Sequence, residues 1–493
     1  MAESASPSGR RFRPDSDVYT KMRSPMNGRA CVIGAGPNGL AAAIVLAQAG
    51  MKVDVFEAEP IPGGAARTLE LTLPGFLHDF GSAVHPLAVG SPFFSALPLR
   101  DYGLEWIYSP AALAHPLDDG TAVMLERDLR DAESALERDG NAWRTLMGPF
   151  AEQWAELASE VLGPMPRLPR HPLLLARLGL NGFPSAKFLV RRFREERTKA
   201  LFAGLAAHSF LSLDQPLTAA FGLLLGAAAH AVGWPIPRTG SQAITNALCG
   251  LLSKLGGTIA TSRRIVSLEE LPGYDFILCD VTPRQLLQLA EERLLPGYRR
   301  QLAKYRYGPA VFKVDYALDR PIPWTARECL RAVTVHLGGS FDEIAASEKA
   351  VSLGQHAERP MVLLAQPSLF DPTRAPGGRH TAWAYCHVPN GSEFDMLSRL
   401  EDQIERFAPG FRDCILARRV FSPALLEKMD ANLVGGDIGG GASDLRQFLF
   451  RPTWRRYATS ARDIYICSSS TPPGGGVHGM CGYHAARLAL SRQ

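Results

Sequence analysis

Although the chain has eight cysteines, no two of them stand in a C-x-x-C arrangement. A thiol–disulfide oxidoreductase needs a paired redox dithiol, so that chemistry is excluded. The cysteines read instead as reduced, buried thiols in a reducing compartment, with Cys31 and Cys467 in apparent core strands. Zinc-type spacings are missing as well, and no metal site is expected. The net charge of +4 is small for 493 residues. With no long basic tract and no RNA-binding aromatic motif, nucleic acid has no support as a partner. There is no internal repeat. No apolar run reaches the ~18 residues that span a bilayer. The longest candidate, 219–234, is broken by His230 and stops at Pro235. The first 29 residues lack the apolar core of a secretory signal. Rich in Ser, Pro and Arg, they read as a disordered tail over 1–26, with an Arg-rich organelle address as the alternative. The compact fold is expected to start near Met26, and the protein is expected to be cytoplasmic.

What is present is concentrated in residues 30–86. A short apolar strand, Ala30-Cys31-Val32-Ile33, runs into the turn Gly34-Ala35-Gly36-Pro37-Asn38-Gly39 and then an apolar helix over 40–49. A second strand, 52–56, ends on Glu57. Gly34 lets the chain leave the strand sharply, Gly36 brings backbone close to a pyrophosphate, and Gly39 lets the helix lie close to the strands. The helix then aims its free N–H groups and dipole at the phosphates. Glu57, about 20 residues on, closes the full fingerprint and accepts the ribose hydroxyls of an adenosine. The same acid repels a 2′-phosphate, which argues against NADP. Gly63-Gly64 reads as a second close approach of backbone to the cofactor, and residues 74–86 as a strand pair and a polar loop.

Further on, residues 87–225 read mostly as helices and loops. Helical spacing runs through 131–162 with charges on one face. The stretch 164–205 mixes apolar clusters with Arg167, Arg170, Arg177, Lys187, Arg191, Arg192, Arg194, Arg197 and Lys199. It reads as a substrate-domain helix pair with a solvated basic face, or as an amphipathic surface making peripheral contact with an anionic membrane. A helix over 242–255, a strand over 258–261, the segment 264–268 and an apolar strand over 274–280 look like a return to the dinucleotide-binding domain. From about 309 to 449 the polarity alternates, as in 311–318, 362–365 and 381–388, and a helix over 392–407 follows; this suggests an antiparallel sheet with helices. A glycine loop spans 435–441. A last strand over 464–470, the turn Gly474-Gly475-Gly476 and a helix over 480–491 form another anion or ring-edge device. Only one dinucleotide fingerprint is found, whereas a flavin reductase of the two-dinucleotide type needs two.

These residues resemble the FAD-dependent amine oxidase and phytoene desaturase superfamily, above all its phytoene desaturase-like branch. The likeness covers nearly the whole chain from about Ala30. It lies in 34–39, Glu57, 62–68, 75–86, 368–376, 435–438 and 472–486. The expected fold class is α/β: a discontinuous Rossmann-like FAD-binding domain (27–90, 233–295, 456–493) with an α+β substrate domain (91–232, 296–455) that contains an antiparallel sheet and helices. The resemblance implies non-covalent FAD, its ring at the domain boundary, and hydride removal from a C–C or C–N bond. The cofactor set so assigned begins with Gly34, Gly36, Pro37, Asn38, Gly39, Glu57 and Ala58. It continues with Gly63, Gly64, Ala65, Arg67, Ser82 and Val266, and ends with Gly475, Gly476 and Val477. The chain departs from the superfamily where an arginine often follows the Gly-Gly pair, here Ala65, and where an acid often follows the last strand, here Ser468-Ser469.

His85 and His478 are the acid–base candidates, since imidazole titrates near neutrality and both lie in segments expected near the ring. Asp79 reads as a brace for its loop. Trp383, Tyr385 and His387 share one strand face that either lines the pocket or packs in the core. The leading function is desaturation of a small lipophilic substrate, with oxygen or a quinone as electron acceptor. An amine oxidase is the first alternative, although no lysine stands out for the water-bridged contact to the ring that such enzymes often have. A redox-neutral isomerase and a flavoprotein kept for assembly are the others.

Overall fold

The computed structural model describes residues 27–164 and 167–492. The expected tail over 1–26 lies outside the described residues.

The chain opens with strand β1 (Arg29–Ile33), helix α1 (Pro37–Gln48) and strand β2 (Lys52–Phe56), followed by the hairpin β3 (Thr68–Glu70) and β4 (Leu77–Asp79). A second hairpin, β5 (Ala111–Pro116) and β6 (Ala122–Glu126), precedes a helical stretch with α2 (Gly140–Glu152), α3 (Pro172–Gly182), α4 (Glu196–Ala207) and α5 (Thr218–Ala231). Then come α6 (Gln242–Lys254), β7 (Thr258–Ala260), β8 (Phe276–Cys279), β9 (Ala310–Leu318) and β10 (Ala332–Leu337). They are followed by α7 (Phe341–Ser352), β11 (Val362–Ala365), β12 (His380–Val388), α8 (Leu397–Phe407), β13 (Ile415–Phe421), β14 (Ile464–Ile466) and α9 (Met480–Leu490).

Five strands make one parallel sheet in the order β14-β8-β1-β2-β7. Both faces are covered, which is why β1 reads as a continuous apolar run. Ala30 and Val32 enter the large core beneath α1, α6 and α9, while Cys31 and Ile33 enter a smaller core with Ile277, Cys279, Leu286 and Ile464. The last helix closes the domain by lying on the first: a Cβ on Gly482 would collide with the carbonyl oxygen of Asn38.

The second sheet has seven strands in the order β13-β9-β12-β11-β10-β5-β6, antiparallel except for the β10·β5 pair. Its outer face packs under α8 with Phe411 and Trp324. Its inner face carries Val311, Leu363, Trp383, Tyr385 and Phe421, and these join the same core as Leu40 and Phe80 of the dinucleotide domain.

Two expectations are corrected and one is extended. The stretch 87–225 is mostly helix and loop as expected, but β5 and β6 also lie in it. Ala111–Pro116 is buried along its entire length, so it has no alternation, and its alanines carry no strand bias. The helical spacing of 131–162 is broken into separate helices at Leu136–Gly140, where Glu137 takes a positive φ of 45°, and at Gln153. The helix expected over 392–407 starts only at Leu397, because the Ser392 hydroxyl accepts the Phe394 N–H and Asp395 accepts the Leu397 N–H, holding a turn there.

Candidate functional site

The glycine turn between β1 and α1 is held from three sides. Gly34 has a φ of +99°, a conformation that β-carbon-bearing residues avoid. Its N–H donates to Phe56 O (2.8 Å), tying β1 to β2. Gly36 caps α1, and Pro37 is the first helical residue. Asn38 and Gly39 are buried. A Cβ on Gly39 would run into the Gly34 carbonyl oxygen, and one on Gly36 would lie 2.9 Å from Asp280 Oδ2. The space freed at Gly36 is therefore occupied by Asp280, not only reserved for a phosphate.

Glu57 ends β2 and is buried. Its Oε2 accepts the Ala35 N–H (2.7 Å) and its Oε1 accepts the Glu59 N–H (2.9 Å). Each oxygen keeps a second lone pair, enough for two hydroxyl donors. Ala58 follows, half-buried. The Gly63-Gly64 turn lies over the fingerprint: both residues have positive φ, and a Cβ on Gly64 would sit 3.6 Å from Gly36 Cα. Ala65 is packed against Gly81. Arg67 is buried and braces the turn, its Nε donating to Gly64 O (2.8 Å) and its guanidinium to Met429 O (2.7 Å). The Ser82 hydroxyl is buried without a protein partner.

At the other end, Gly475 and Gly476 are exposed and Val477 is half-buried. Ser91 Oγ donates to His478 O (2.7 Å), and Gly476 lies against Leu87, so the segment after His85 packs on the C-terminal turn. The Gly63-Gly64 turn meets the start of α1 at Gly36, and α9, which follows the C-terminal turn, meets it at Asn38. Val266 is not brought there. Its side chain is 68% exposed on a turn closed by Ser267 and Glu270, while the neighbouring Ile265 is buried. The backbone beside Glu57 comes instead from Arg263, whose N–H donates to Glu57 O (2.8 Å).

The two histidines differ in their free atoms. Ser241 Oγ gives its hydrogen to Ser82 O (2.5 Å), so His85 Nε2, 2.8 Å from that hydroxyl, must be the donor. The neutral ring then carries its lone pair on Nδ1. His478 Nδ1 accepts the Met480 N–H (3.0 Å), and its Nε2 is buried with no partner near Gly476. Burial pushes both imidazoles down to about 4.

Sequence reasoning missed three groups. Asp280 ends β8 as Glu57 ends β2, and its Oδ2 accepts the Gly39 N–H (2.8 Å). Burial, with Asp430 and Glu57 nearby, pushes its carboxyl up to about 8. An acid closing an apolar strand was the available signal. Lys313 and Asp315 alternate with apolar residues along β9. The strand is buried throughout, and the two form an ion pair on the inner face. Lys313 Nζ lies 5.7 Å from the Trp383 ring centre and 5.3 Å from that of Phe421. Burial lowers the lysine and raises the aspartic acid from their ordinary values. Arg451 donates to Gly440 O (3.0 Å) and Ser469 O (2.9 Å), pinning the glycine loop against the segment that carries Ser468-Ser469. On β12, Trp383 and Tyr385 stack (5.5 Å), and His387 Nδ1 sits 2.8 Å from Glu348.

Positive-φ glycines, a buried acid with spare acceptor capacity at the end of β2, and orphaned buried polar atoms at Ser82 and His478 fit a dinucleotide such as FAD. Among the described residues no helix is long and apolar enough to cross a membrane.

A family model described as an NAD(P)-binding Rossmann-like domain matches residues 32–94. Mouse (Mus musculus) pyridine nucleotide-disulfide oxidoreductase domain-containing protein 2 is 26% identical, over 96% of each chain. The lycopene-forming phytoene desaturase of Pseudescherichia vulneris is 25% identical over 94% of this chain and 98% of its own. Among solved structures, an engineered putrescine oxidase superposes with a TM-score of 0.58 at 16% identity, covering 95% of this chain and 99% of its own. With a parallel dinucleotide sheet, a second antiparallel-rich sheet and this similarity along almost its full length, the chain is an oxidoreductase that resembles the phytoene desaturases in sequence and the amine oxidases in fold.

Proposed function

We propose that the protein binds FAD and desaturates a lipophilic substrate. The observation that carries this reading is the inner face of the seven-stranded sheet. Val311, Leu363, Trp383, Tyr385 and Phe421 make an apolar and aromatic wall that faces the cradle and meets it where Phe80 and Phe421 touch edge to face (5.8 Å). Bound FAD would supply the hydride acceptor.

The chain's own residues supply the rest. The α1 N-terminus and the glycine turns would hold the pyrophosphate, and Glu57 would take the ribose hydroxyls. His85 stays neutral well below pH 7, which leaves its Nδ1 as a weak acceptor that can relay, rather than hold, the proton lost from substrate. His478 offers an Nε2–H that can donate to a polar edge beside Gly476. The two histidines thus divide acceptor and donor roles by their fixed hydrogen bonds.

Lys313 favours a second reading, an amine oxidase, because it lies beside two aromatic rings on the same wall. Its pairing with Asp315 weighs against a free role. Anaerobic titration of the yellow holoprotein separates the two readings. Bleaching by polyenes or other apolar donors, and not by amines, is expected. Bleaching by amines alone would transfer the case to the second reading, and rapid bleaching by NADH would overturn the single-dinucleotide account.

A further inference from the structure

We infer that the surface built around α3 docks the protein on an anionic lipid bilayer. The inference is independent of the substrate reading. The inner side of α3 is ordinary: Leu174, Leu178 and Gly182 are buried, and Gly182 meets Ala220 of α5. The outer side is not. Leu173 and Leu180, two turns apart on one face, are 86% and 79% exposed. Leu168 just before the helix is 94% exposed, and Phe183 and Phe188 just after it are 54% and 56% exposed. A surface helix normally turns charge outward. A clustered run of exposed large apolar side chains marks a contact surface.

Charge identifies what covers it. Residues 164–194 contain seven bases (Arg167, Arg170, Arg177, Lys187, Arg191, Arg192, Arg194) and no acid. Two neighbouring acids enter this segment's hydrogen bonding, and both are buried. Glu160 is used up by the N–H groups of Arg170 and His171 and by the Arg167 guanidinium, and Asp139 by the N–H groups of Arg194 and Glu195. Arg191 lies over the Phe188 ring, 5.5 Å from its centre, keeping a cation beside an exposed aromatic. The rim is mainly positive, with exposed Asp214 near Lys187 and Glu152 near Arg177 as its acids, and an apolar centre inside such a rim matches acyl chains beneath anionic headgroups. With eleven residues, α3 is too short to span a membrane, so it would lie in the interface.

Flotation of the full-length holoprotein with vesicles tests this. The probes are pure phosphatidylcholine and phosphatidylcholine doped with phosphatidylserine, each at low and high salt. Binding is expected with the anionic vesicles only, and weaker at high salt. A variant carrying Leu168→Ser, Leu173→Ser and Leu180→Ser should lose binding while keeping its flavin spectrum and melting temperature. Lys187→Gln, Arg191→Gln and Arg194→Gln should each weaken binding by roughly fivefold. Wild-type protein that ignores both vesicles, or serine variants that bind like wild type, would overturn the inference. So would a dimer that the serine substitutions dissociate in the absence of vesicle binding, which would assign the surface to a second copy of the chain.

Discussion

Asp79 and Arg374 form an ion pair at 2.8 Å with both side chains fully buried, across 295 residues of sequence. The same guanidinium reaches Asp371 (3.1 Å), and Asp79 also accepts the Thr68 hydroxyl and the Ser241 N–H, each at 2.8 Å. The pair joins the β3–β4 hairpin, beside the cradle, to the loop before β12. It also sets Ser241, which holds His85. Removing one partner of such a pair leaves an uncompensated charge in the interior and costs about 3–5 kcal/mol. Arg374→Met strands two carboxylates at once and is expected to fall at the upper end. Urea unfolding followed by tryptophan fluorescence measures it, and a loss below about 1 kcal/mol, the scale of a surface pair, would contradict a bracing role for the pair.

Gly39→Ala is expected to give a soluble, colourless protein. Its Cβ would press on the Gly34 carbonyl, so α1 must lift from β1 and carry the helix N-terminus away from the phosphates. Overpacking of this kind costs about 1–3 kcal/mol, or roughly ten- to a hundredfold in affinity. Gly36→Ala meets a side-chain carboxylate instead of backbone, so it should weaken flavin binding less. Reconstitution with FAD, read by quenching of flavin fluorescence, ranks the two variants. Equal, wild-type affinity in both would refute the cradle.

Asp280 predicts an alkaline limit to flavin retention. Its folded carboxyl sits near 8, above the ordinary carboxylate value. Below about pH 4 both the folded and unfolded forms are protonated. Between about pH 4 and 8 only the folded form holds the proton, so stability falls as pH rises through that window. A pyrophosphate at the same turn adds negative charge and disfavours ionisation further. Retention of FAD should therefore drop as pH passes about 8. Asp280→Asn should flatten the drop, since an amide oxygen still accepts the Gly39 N–H. A wild-type profile that is flat to about pH 9, or a variant with the same slope, would rule this out.

Most of the cradle was legible because it is local. Strand, glycine turn, helix and closing acid lie within thirty residues, and β1, α1 and β2 appear where their patterns put them. The remainder depended on distant partners. Arg374 looks like any loop arginine until the fold carries it to Asp79. Lys313 and Asp315 alternate as a solvent-facing strand would, but a second layer covers that face. Val266 was assigned by likeness to a segment whose neighbour, Ile265, takes the buried position. The β5 strand hides in an alanine run that carries neither period nor propensity. What sequence cannot show is which polar residues a second layer will bury, and the inner wall of the larger sheet holds such a pair, Lys313 and Asp315, among its apolar and aromatic side chains.

The histidines supply a test of the whole fold. Burial pushes His78, His208 and His484 down to about 3, and His85, His115, His230 and His478 to about 4. His336 lies well below its ordinary value for the same reason. Their unfolded values are near 6.5. Above that pH all are neutral in both states, and their contribution to stability is complete. Below it the unfolded chain gains protons that the folded one refuses, so stability falls as pH descends toward the folded values. Each group adds a slope of up to about 1.4 kcal/mol per pH unit. Several acting together exceed the 5–15 kcal/mol that typically holds a domain within about two units. Cooperative unfolding is therefore expected between about pH 6 and pH 4.5, followed by far-ultraviolet circular dichroism. His230→Gln and His484→Gln remove two proton acceptors and should move the midpoint to lower pH. A wild-type chain that keeps its secondary structure and near-ultraviolet signal at about pH 4 would mean that these rings are not buried as the structure has them.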